Sequence, residues 1–600
     1  MLAAVLALAF VAAAPAQAPS LGKADATRYL DTVKTLSAPI MEGRGAGTKG
    51  IDLAAHLLEQ RYQSLGLDPA GTQGFFQPFT VTTGAQLAPH NDLSENVGGK
   101  NRALKLNEDF VPFSFSSSGE IHGPLVFAGY GASAAEFGYD DYAGLGVQGK
   151  IVVLLRYEPT GFAAKGGHQG LTQHAALIAK AINARDHGAK AVVIVNGKLG
   201  DGEDDLLTRF GSVSGPENAG IVLVHVKNKV AQDWFAAAGK SLAAVQSQID
   251  ASTKPASFAF PDSLQLSVAV HIDTIHATVS NVLAYLPGKT DEYIIVGAHY
   301  DHLGYGNADS LAPSQIGQIH PGADDNASGT AGVLELARLF APYKGRLPRG
   351  ILFESFAGEE LGLLGSADWV KQPTRPLDKA VAMLNMDMIG RIKDEKVYVG
   401  GVGTGSTFQS ILAAAQKASP FHFEYSPGGY AASDHTSFVA RKIPVLFFFS
   451  GLHSDYHKPS DTWDKINAPD AARLLDFIAA VIAQLDTAAA RPKFITVAAD
   501  DPHSGVTGGG GGYGPWFGSI PDFGQKENGV RFSDVQPGSP AAKAGLKAGD
   551  VLTEFSGKPI HNLYDFTDAL RGSKVGDVVD VTVLRDGKPL KASVKLEQRR

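Results

Sequence analysis

A run of acidic and amide side chains, PGADDNASG at residues 321–329, stands directly before the apolar, helix-patterned segment TAGVLELARLF. Asp and Asn cap helix N-termini, where their charge suits the positive end of the helix dipole. They also bind metal ions. Capping is the commoner reason for such a triplet, so the rest of the chain has to decide between the two roles.

Four further segments carry His or carboxylate side chains at or beyond the end of an apolar run. They are GAHYDH with His299 and Asp301, FAGEELG with Glu359 and Glu360, NMDMIG with Asp387, and DYHKPSDT with His457. His299 and Asp301 are two residues apart and therefore lie on one side of an extended chain. Ligands of open α/β sheets bind beyond the carboxyl ends of strands, so these loops together predict a metal site.

The chain contains no cysteine, so any metal must be held by His, Asp and Glu. Two zinc ions bring four positive charges, which a bridging Asp, one Glu, a second Asp and a hydroxide balance, with two neutral His completing the ligand set. One carboxylate is then left over, and a general base requires one.

Length and composition indicate several folded domains. A chain of 600 residues is too long for one core. Its hydrophobic content of 44%, charged content of 19% and net charge of −8 are typical of globular proteins. No cluster of Lys and Arg forms a basic stripe, so nucleic-acid binding is not expected.

The N-terminal segment resembles a signal peptide. An apolar run from Leu2 to Ala14 is too short to span a bilayer and is followed by A-x-A sites ending at Ala16 and Ala18. No Lys or Arg precedes the run, which is atypical. We expect a signal peptide at 1–18, export to the periplasm or medium, and no membrane span in the mature chain.

The middle of the chain alternates apolar strands and helices. From about residue 270 this pattern predicts an α/β layer fold with a mainly parallel sheet. Residues 105–265 are instead richer in short β runs, and the five glycines at 508–512 indicate a flexible linker.

GAHYDH, PGADDNASG, FAGEELGLLGS, NMDMIG and YHKPSDT resemble, in order, the five metal-site motifs of the secreted bacterial two-zinc aminopeptidases. Glutamate carboxypeptidase II and the transferrin receptor share that fold. The resemblance covers roughly residues 25–105 and 265–490. It implies a zinc-peptidase three-layer sandwich with a mainly parallel, mixed sheet.

The resemblance also implies a role for each matching residue. His299 and Asp387 would hold one Zn²⁺, Glu360 and His457 the other, and Asp325 would bridge them. Glu359 would be the general base toward a metal-bridging water, and Asp301 would orient His299. In some members a Tyr directly before the last His polarises the substrate carbonyl, which gives Tyr456 as a further catalytic candidate.

Two other segments resemble known modules. Residues 105–265, with FAGYGASAAEFGYDDYAGLGVQGKIVVLLRYEP, resemble a protease-associated insert that covers the active site or is merely structural. Residues 513–600 resemble a small α+β PDZ domain, in which the N–H groups of Phe517, Gly518 and Ser519 would receive a peptide C-terminus. Helix LYDFTDAL would form the other wall of that groove.

Three competing interpretations were weighed. The segment from Asp324 to Glu335 matches the EF-hand spacing, but the Pro- and Gly-containing residues before it cannot form the required first helix, and Glu335 is expected on a solvated helix face. GLGVQG at 144–149 has the G-x-G-x-x-G spacing but precedes a strand, which predicts a turn. A non-catalytic peptide-binding protein on the same scaffold is disfavoured because all five ligands and the base are present.

The sequence therefore predicts an exported two-zinc aminopeptidase that releases N-terminal residues from peptides. A carboxypeptidase or dipeptidase on the same scaffold remains the alternative. The expected domains are a peptidase domain at 24–104 and 266–490, the insert at 105–265, a linker at 491–512 and the PDZ domain at 513–600.

Overall fold

The computed structural model describes residues 19–162, 171–198, 204–211, 218–306, 309–497, 515–522 and 528–598. The expected signal peptide and the five-glycine run lie outside these residues. Within them, no helix combines the length and the hydrophobicity that crossing a bilayer requires.

The helices and strands follow the order that the sequence patterns predict. Up to residue 112 they are α1 (Ala26–Leu36), α2 (Lys49–Ser64), β1 (Asp68–Pro69), β2 (Phe76–Leu87), β3 (Asp92–Val97), β4 (Lys100–Leu104) and β5 (Phe110–Pro112). The next are β6 (Gly119–Phe127), β7 (Ser133–Ala134), β8 (Tyr139–Asp140), β9 (Ile151–Leu155), α3 (Leu177–Asp186), β10 (Ala191–Val195), β11 (Val222–Val226), α4 (Asn228–Ala237), α5 (Leu242–Ser252), β12 (Phe258–Ala259) and β13 (Leu264–Val270).

The remaining elements build the catalytic part and the C-terminal domain. The catalytic part contains β14 (Ile272–Leu286), β15 (Tyr293–His299), α6 (Gly329–Phe340), β16 (Gly350–Phe356), α7 (Leu364–Lys371), β17 (Ala380–Met386), β18 (Lys396–Gly400), α8 (Phe408–Gln416), β19 (His422–Tyr425), α9 (His435–Ala440), β20 (Val445–Phe449) and α10 (Ala468–Thr487). The C-terminal domain contains β21 (Ser519–Pro521), β22 (Val530–Val535), α11 (Pro540–Lys543), β23 (Val551–Phe555), β24 (Lys558–Pro559), α12 (Leu563–Arg571), β25 (Val578–Arg585) and β26 (Lys588–Lys595).

The catalytic sheet is mixed, as predicted. Its strand order is β1-β14-β16-β15-β17-β20-β18-β19, with β2 also paired to β14. The four neighbours β16, β15, β17 and β20 run parallel to one another. Their carboxyl ends therefore meet at one edge of the sheet.

Both faces of this sheet are covered by helices, which makes three layers. Alternate residues of β15 enter two different cores: Ile294 and Val296 pack with α1, α2, α6 and α10, whereas Tyr293 and Ile295 pack with α7 and α9. A strand that is apolar at every position needs such cover on both sides, because its side chains alternate between the two faces.

The insert has its own sheet, in the order β4-β3-β13-β6-β9-β10-β11-β5. Strands β3 and β4 join it through the antiparallel pair of β3 with β13. The predicted boundary at 104/105 is therefore wrong, since residues 92–104 belong to the insert. Strand β13, which the prediction placed in the catalytic part from residue 266 onward, also pairs within this sheet.

Several specific contacts join the domains. The Arg185 guanidinium of α3 binds the Asp565 carboxylate of α12 at 3.0 Å. The Tyr430 hydroxyl of the catalytic part donates a hydrogen bond to the Asp534 carboxylate of β22. The described start of the expected linker also packs on the catalytic part, where the Ile495 N–H donates to the Thr404 carbonyl at 2.8 Å.

Helix α6 corrects one smaller prediction. The Glu335 side chain is only 3% exposed, not solvated. Its carboxylate binds Arg28 of α1 at 3.0 Å and Arg338 one turn further along α6 at 2.7 Å. Glu335 therefore fastens α1 to α6 and takes no part in a calcium loop. Residues 144–149 form turns before β9, as predicted.

Candidate metal centre

The predicted metal ligands come from loops at the carboxyl edge of the four parallel strands. His299 is the last residue of β15, Asp387 directly follows β17, and Glu360 follows β16. His457 lies in the loop after β20. Asp325 lies in the helical turn Ala323–Ser328 that leads into α6, and its peptide bond to Asn326 is cis.

The structure brings these residues into two groups. In the first, the Nε2 atom of His299 lies 3.5 Å from Asp325 Oδ1 and 3.4 Å from Asp387 Oδ1. In the second, the Nε2 atom of His457 lies 3.3 Å from Asp325 Oδ2 and 3.2 Å from Glu360 Oε2. Asp325 thus offers one oxygen to each group, as a bridging carboxylate does.

These separations fit zinc ligands. Donor atoms bound tetrahedrally at 2.0–2.2 Å lie about 3.3–3.6 Å from one another. The buried Asp387 Oδ1 atom has no hydrogen-bond partner among the described residues. A buried carboxylate oxygen without a partner is costly unless a cation binds it. The geometry and chemistry of the donor set therefore fit two divalent ions.

The site also attracts positive charge. Burial lowers the pKa of His457, but Glu360 and Asp325 outweigh burial and raise it to about 12. Burial likewise opposes the charged form of His299, yet Glu359 and Asp387 raise its pKa well above the usual value. Both imidazoles face a concentration of negative charge that a metal ion would neutralise.

The two adjacent glutamates have opposite electrostatic settings. Burial raises the pKa of Glu359 well above its usual value, and Glu360 and Asp387 raise it further against the opposing effect of His299. Burial also acts on Glu360, but His457 and His302 outweigh it and lower the pKa of Glu360 well below its usual value. One carboxylate is thus suited to ligation and its neighbour to carrying a proton.

Asp301 and Tyr456 lie where the motifs predict. The Asp301 carboxylate is 3.7 Å from His299 Nδ1 and accepts hydrogen bonds from the N–H groups of Glu359 and Glu360 at 3.2 and 3.3 Å. Asp301 therefore orients both a ligand and the base. The Tyr456 ring lines the pocket and stacks on the His457 ring with centroids 3.9 Å apart.

Sequence reasoning missed His302. Its Nδ1 atom lies 2.6 Å from Glu360 Oε1 and 3.7 Å from Asp325 Oδ2, so His302, Asp325 and Glu360 also form a group that could hold a metal. The signal was present, because His302 is the final residue of GAHYDH. Family matching covered the first His and the Asp of that motif, and the last His was passed over.

The rest of the pocket wall is apolar on one side. Beside Asp325, Glu359, Glu360, Asp387, Tyr456 and His457, the lining residues are Met388, Ala431, Ala432, Phe447, Phe449 and Leu452. Over the described ranges no Arg or Lys lines this pocket. The sequence could not place this wall, because its members come from three separate loops.

The predicted PDZ loop lies far along the chain, in the C-terminal domain. The Phe517 side chain is 1% exposed and packs in that domain's core. The carbonyls of Phe517 and Gly518 accept hydrogen bonds from Ala541 and Gln536. Among the described residues, the N–H groups of Phe517 and Gly518 have no acceptor.

An open α/β sheet with a pair of acid–His groups at its strand ends defines a metal-dependent hydrolase fold. Residues 281–482 match peptidase family M28, residues 121–234 match the PA domain and residues 521–596 match a PDZ domain. The chain thus contains a family M28 peptidase domain with a protease-associated insert and a C-terminal PDZ domain, which confirms the three resemblances.

Named relatives agree with this assignment. The probable leucine aminopeptidase of Arthroderma otae is 32% identical over 211 residues, which are 34% of this chain and 56% of the relative. Aminopeptidase YwaD of Bacillus subtilis is 27% identical over 330 residues, which are 53% of this chain and 61% of the relative. The chain thus spans between half and two thirds of these curated relatives.

A solved structure, the aminopeptidase from Aneurinibacillus sp. strain AM-1, is 24% identical. The match covers 80% of this chain and 97% of that one, with a TM-score of 0.47.

Proposed function

We propose that the protein is a zinc-dependent aminopeptidase with two Zn²⁺ per chain. The observation that carries the proposal is the pocket: two acid–His groups share one carboxylate, and a further carboxylate stands beside them. His299 and Asp387 would hold one ion, Glu360 and His457 the other, and Asp325 both. Bound zinc would supply an acidified water and a polarised carbonyl.

Glu359 would move the proton. Its Oε2 atom is 3.9 Å from His299 Nε2, which places it beside the first group without joining it. Its raised pKa suits a group that takes a proton from the attacking water and returns it to the departing amine. Asp301 holds Glu359 in place by accepting its backbone N–H.

The charge of the pocket supports cleavage at the N-terminal end of peptides. A protonated substrate amine is attracted by carboxylates, whereas a carboxypeptidase needs a cation to receive the substrate carboxylate. The described lining contains four acidic residues and neither Arg nor Lys. This favours an aminopeptidase over a carboxypeptidase or dipeptidase, and the complete donor set disfavours a non-catalytic peptide-binding protein.

Peptides that differ only at their ends test the proposal. Free-amine, N-acetylated and C-amidated versions of one peptide should be assayed with and without a chelator. We expect cleavage of the free-amine and C-amidated peptides, no cleavage of the acetylated one, and loss of all activity on chelation. Equal cleavage of the acetylated peptide would rule out the aminopeptidase, and indifference to the chelator would rule out the metal.

The Glu359→Gln variant tests the base. Removing a general base lowers kcat by about 10²–10⁴-fold, because the amide cannot accept the proton. Zinc content, measured by metal analysis, should stay at the wild-type value. A variant with near wild-type kcat would show that Glu359 is not the base.

We further propose that the PDZ domain binds peptide C-termini. The unpartnered N–H groups of Phe517 and Gly518 support this, since a peptide carboxylate would accept from both. Titration of the full-length protein with a peptide and its C-amidated form should show binding of the free carboxylate only. Equal affinity for both peptides would contradict the proposal.

Export is also proposed. It is supported by the apolar run from Leu2 to Ala14 and the two A-x-A sites that follow it. N-terminal sequencing of the protein recovered outside the cytoplasm should begin after Ala16 or Ala18. Recovery of an uncleaved chain from the cytoplasm alone would contradict export.

A further inference from the structure

Two fully buried charged side chains lie beside the metal centre without entering it. Arg44 and Asp461 are both 0% exposed, and both contact the short segment 321–325 that ends at the shared carboxylate of Asp325. Neither has a role in the proposed reaction. Burying a charge is costly, so each must be held by specific partners.

Arg44 binds backbone carbonyls only. Its guanidinium donates to the carbonyls of Pro321 and Gly322, each at 2.8 Å, and to those of Leu36 and Tyr300, each at 2.7 Å. Tyr300 stands between His299 and Asp301. Arg44 therefore joins the segment before Asp325 to the loop that carries His299.

Asp461 binds the same segment through its amides. Its Oδ2 atom accepts from the N–H groups of Asp324 and Asp325 at 2.9 and 3.1 Å. Its carbonyl accepts from the Ala323 N–H at 3.2 Å. Asp461 follows His457 by four residues, so it joins the segment to the loop that carries His457.

We propose that Arg44 and Asp461 are positioning residues that hold Asp325 between the two metal-binding groups. Arg44 sets its distance to His299, and Asp461 sets its distance to His457. The segment is gripped through its carbonyls on one side and its amides on the other, which leaves the Asp325 side chain free to face both groups. This inference rests on the proposed two-metal centre.

The proposal predicts different defects in the two variants. Arg44→Lys keeps the charge but cannot span four carbonyls, because an ammonium has three donors at one point. It should weaken the metal held by His299 and Asp387. Asp461→Ala leaves two buried amides unpaired and should weaken the metal held by His457 and Glu360, whereas Asp461→Asn, which keeps an acceptor oxygen, should restore most of the affinity. Loss of such supporting contacts typically costs about 10–100-fold in metal affinity.

Arg349→Lys is the matched control. Arg349 is a buried arginine whose Nη1 atom also donates to three carbonyls, those of Leu485, Asp486 and Ala488, at 2.8–2.9 Å. None of these residues lines the pocket. This variant loses comparable backbone contacts away from the metal centre, so it separates a general loss of stability from a loss of metal binding.

The experiment titrates the metal-free, full-length protein with Co²⁺ and follows the visible absorption and the heat of binding. A His457→Ala variant identifies which binding step belongs to which group. We expect two steps in the wild type and in Arg349→Lys, one step weakened in Arg44→Lys and the other in Asp461→Ala. Circular dichroism checks folding, and Arg44→Gln replaces Arg44→Lys if the lysine variant does not fold.

The possible failures differ. Fewer than two steps in the wild type would overturn the two-metal centre itself. Two wild-type steps with Arg44→Lys and Asp461→Ala both equal to Arg349→Lys would overturn the positioning role. Equal weakening of both steps in either variant would overturn the assignment of each residue to one side.

Discussion

The catalytic part and the insert both bury charged side chains next to a parallel sheet, but they treat them differently. In the insert, Asp141 accepts from the N–H groups of Tyr130 and Ala132 at 3.0 and 3.1 Å, and from the Tyr139 hydroxyl at 2.7 Å. In the catalytic part, Asp387 Oδ1 has no hydrogen-bond partner among the described residues.

The same contrast holds for positive charge. The buried Lys180 ammonium of the insert donates to the Tyr130 carbonyl and faces Asp141, whereas the buried His299 faces several carboxylates at once. Burial of charge alone therefore does not mark a functional site. Charges that are buried together and left incompletely paired do.

The largest effect that would test this contrast is expected at Asp141. Asp141→Asn removes one acceptor oxygen and leaves Lys180 without its compensating charge, which should destabilise the insert by about 3–5 kcal/mol. The protein has several domains, so amide hydrogen exchange of β9 and β10 is the suitable measure. Zinc content should not change.

A double variant sharpens the first prediction. Lys180→Met in the Asp141→Asn background removes both charges, and the combined loss should be smaller than the sum of the two single losses. Strict additivity would show that the two groups are not coupled. Loss of zinc from the single Asp141→Asn variant would erase the distinction between the two regions.

A smaller effect concerns pH and His225. Burial lowers the pKa of His225 from 6.5 to about 3, with Arg156 adding to the effect, and its Nδ1 accepts the Thr208 N–H at 2.8 Å. The unfolded chain therefore binds one proton more than the folded chain between pH 6.5 and 3. The stability that neutral His225 provides is complete above pH 6.5 and is lost as the pH falls toward 3, by up to about 1.4 kcal/mol per pH unit.

Hydrogen exchange of β11 between pH 6.5 and 4.5, corrected for intrinsic rates, would measure this. His225→Asn keeps an acceptor near the Thr208 N–H and does not titrate in that range, so it should flatten the profile. An unchanged slope in the variant would mean that other groups cause the pH dependence.

The smallest effect is expected at an exposed pair in the catalytic part. Asp291 and Lys379 lie 2.8 Å apart, but the Asp291 side chain is 68% exposed. Asp291→Ala should change the free energy of unfolding by less than about 1 kcal/mol, since water and salt screen such pairs. Lys379→Ala provides the control, and a clearly larger loss in either variant, measured by thermal unfolding, would contradict this.

Much of the centre was predictable because the carboxyl ends of parallel strands coincide. Once GAHYDH and NMDMIG are assigned to neighbouring parallel strands, His299 and Asp387 must come close together. The class of each domain was also predictable, since strand and helix periodicities are local properties of the sequence.

Other features depend on pairing between residues that are distant in sequence. Strands β3 and β4 look like part of the first segment until β13 pairs with β3. Glu335 looks solvated until Arg28 of α1 reaches it. Arg44 stands in a glycine-rich turn, EGRGAGTKG, and nothing local shows that its guanidinium ends beneath Asp325.

The origin of the ligands on four adjacent parallel strands and on the loop before α6 has a consequence for heat resistance. An ion that binds only the assembled loops is bound by the folded state and released on unfolding, so it raises the midpoint of unfolding with its free concentration, by about 2.7 kcal/mol at a hundred times Kd. This protection needs the grip of the side chains and no turnover. An inactive enzyme should therefore still melt at a temperature set by the zinc around it.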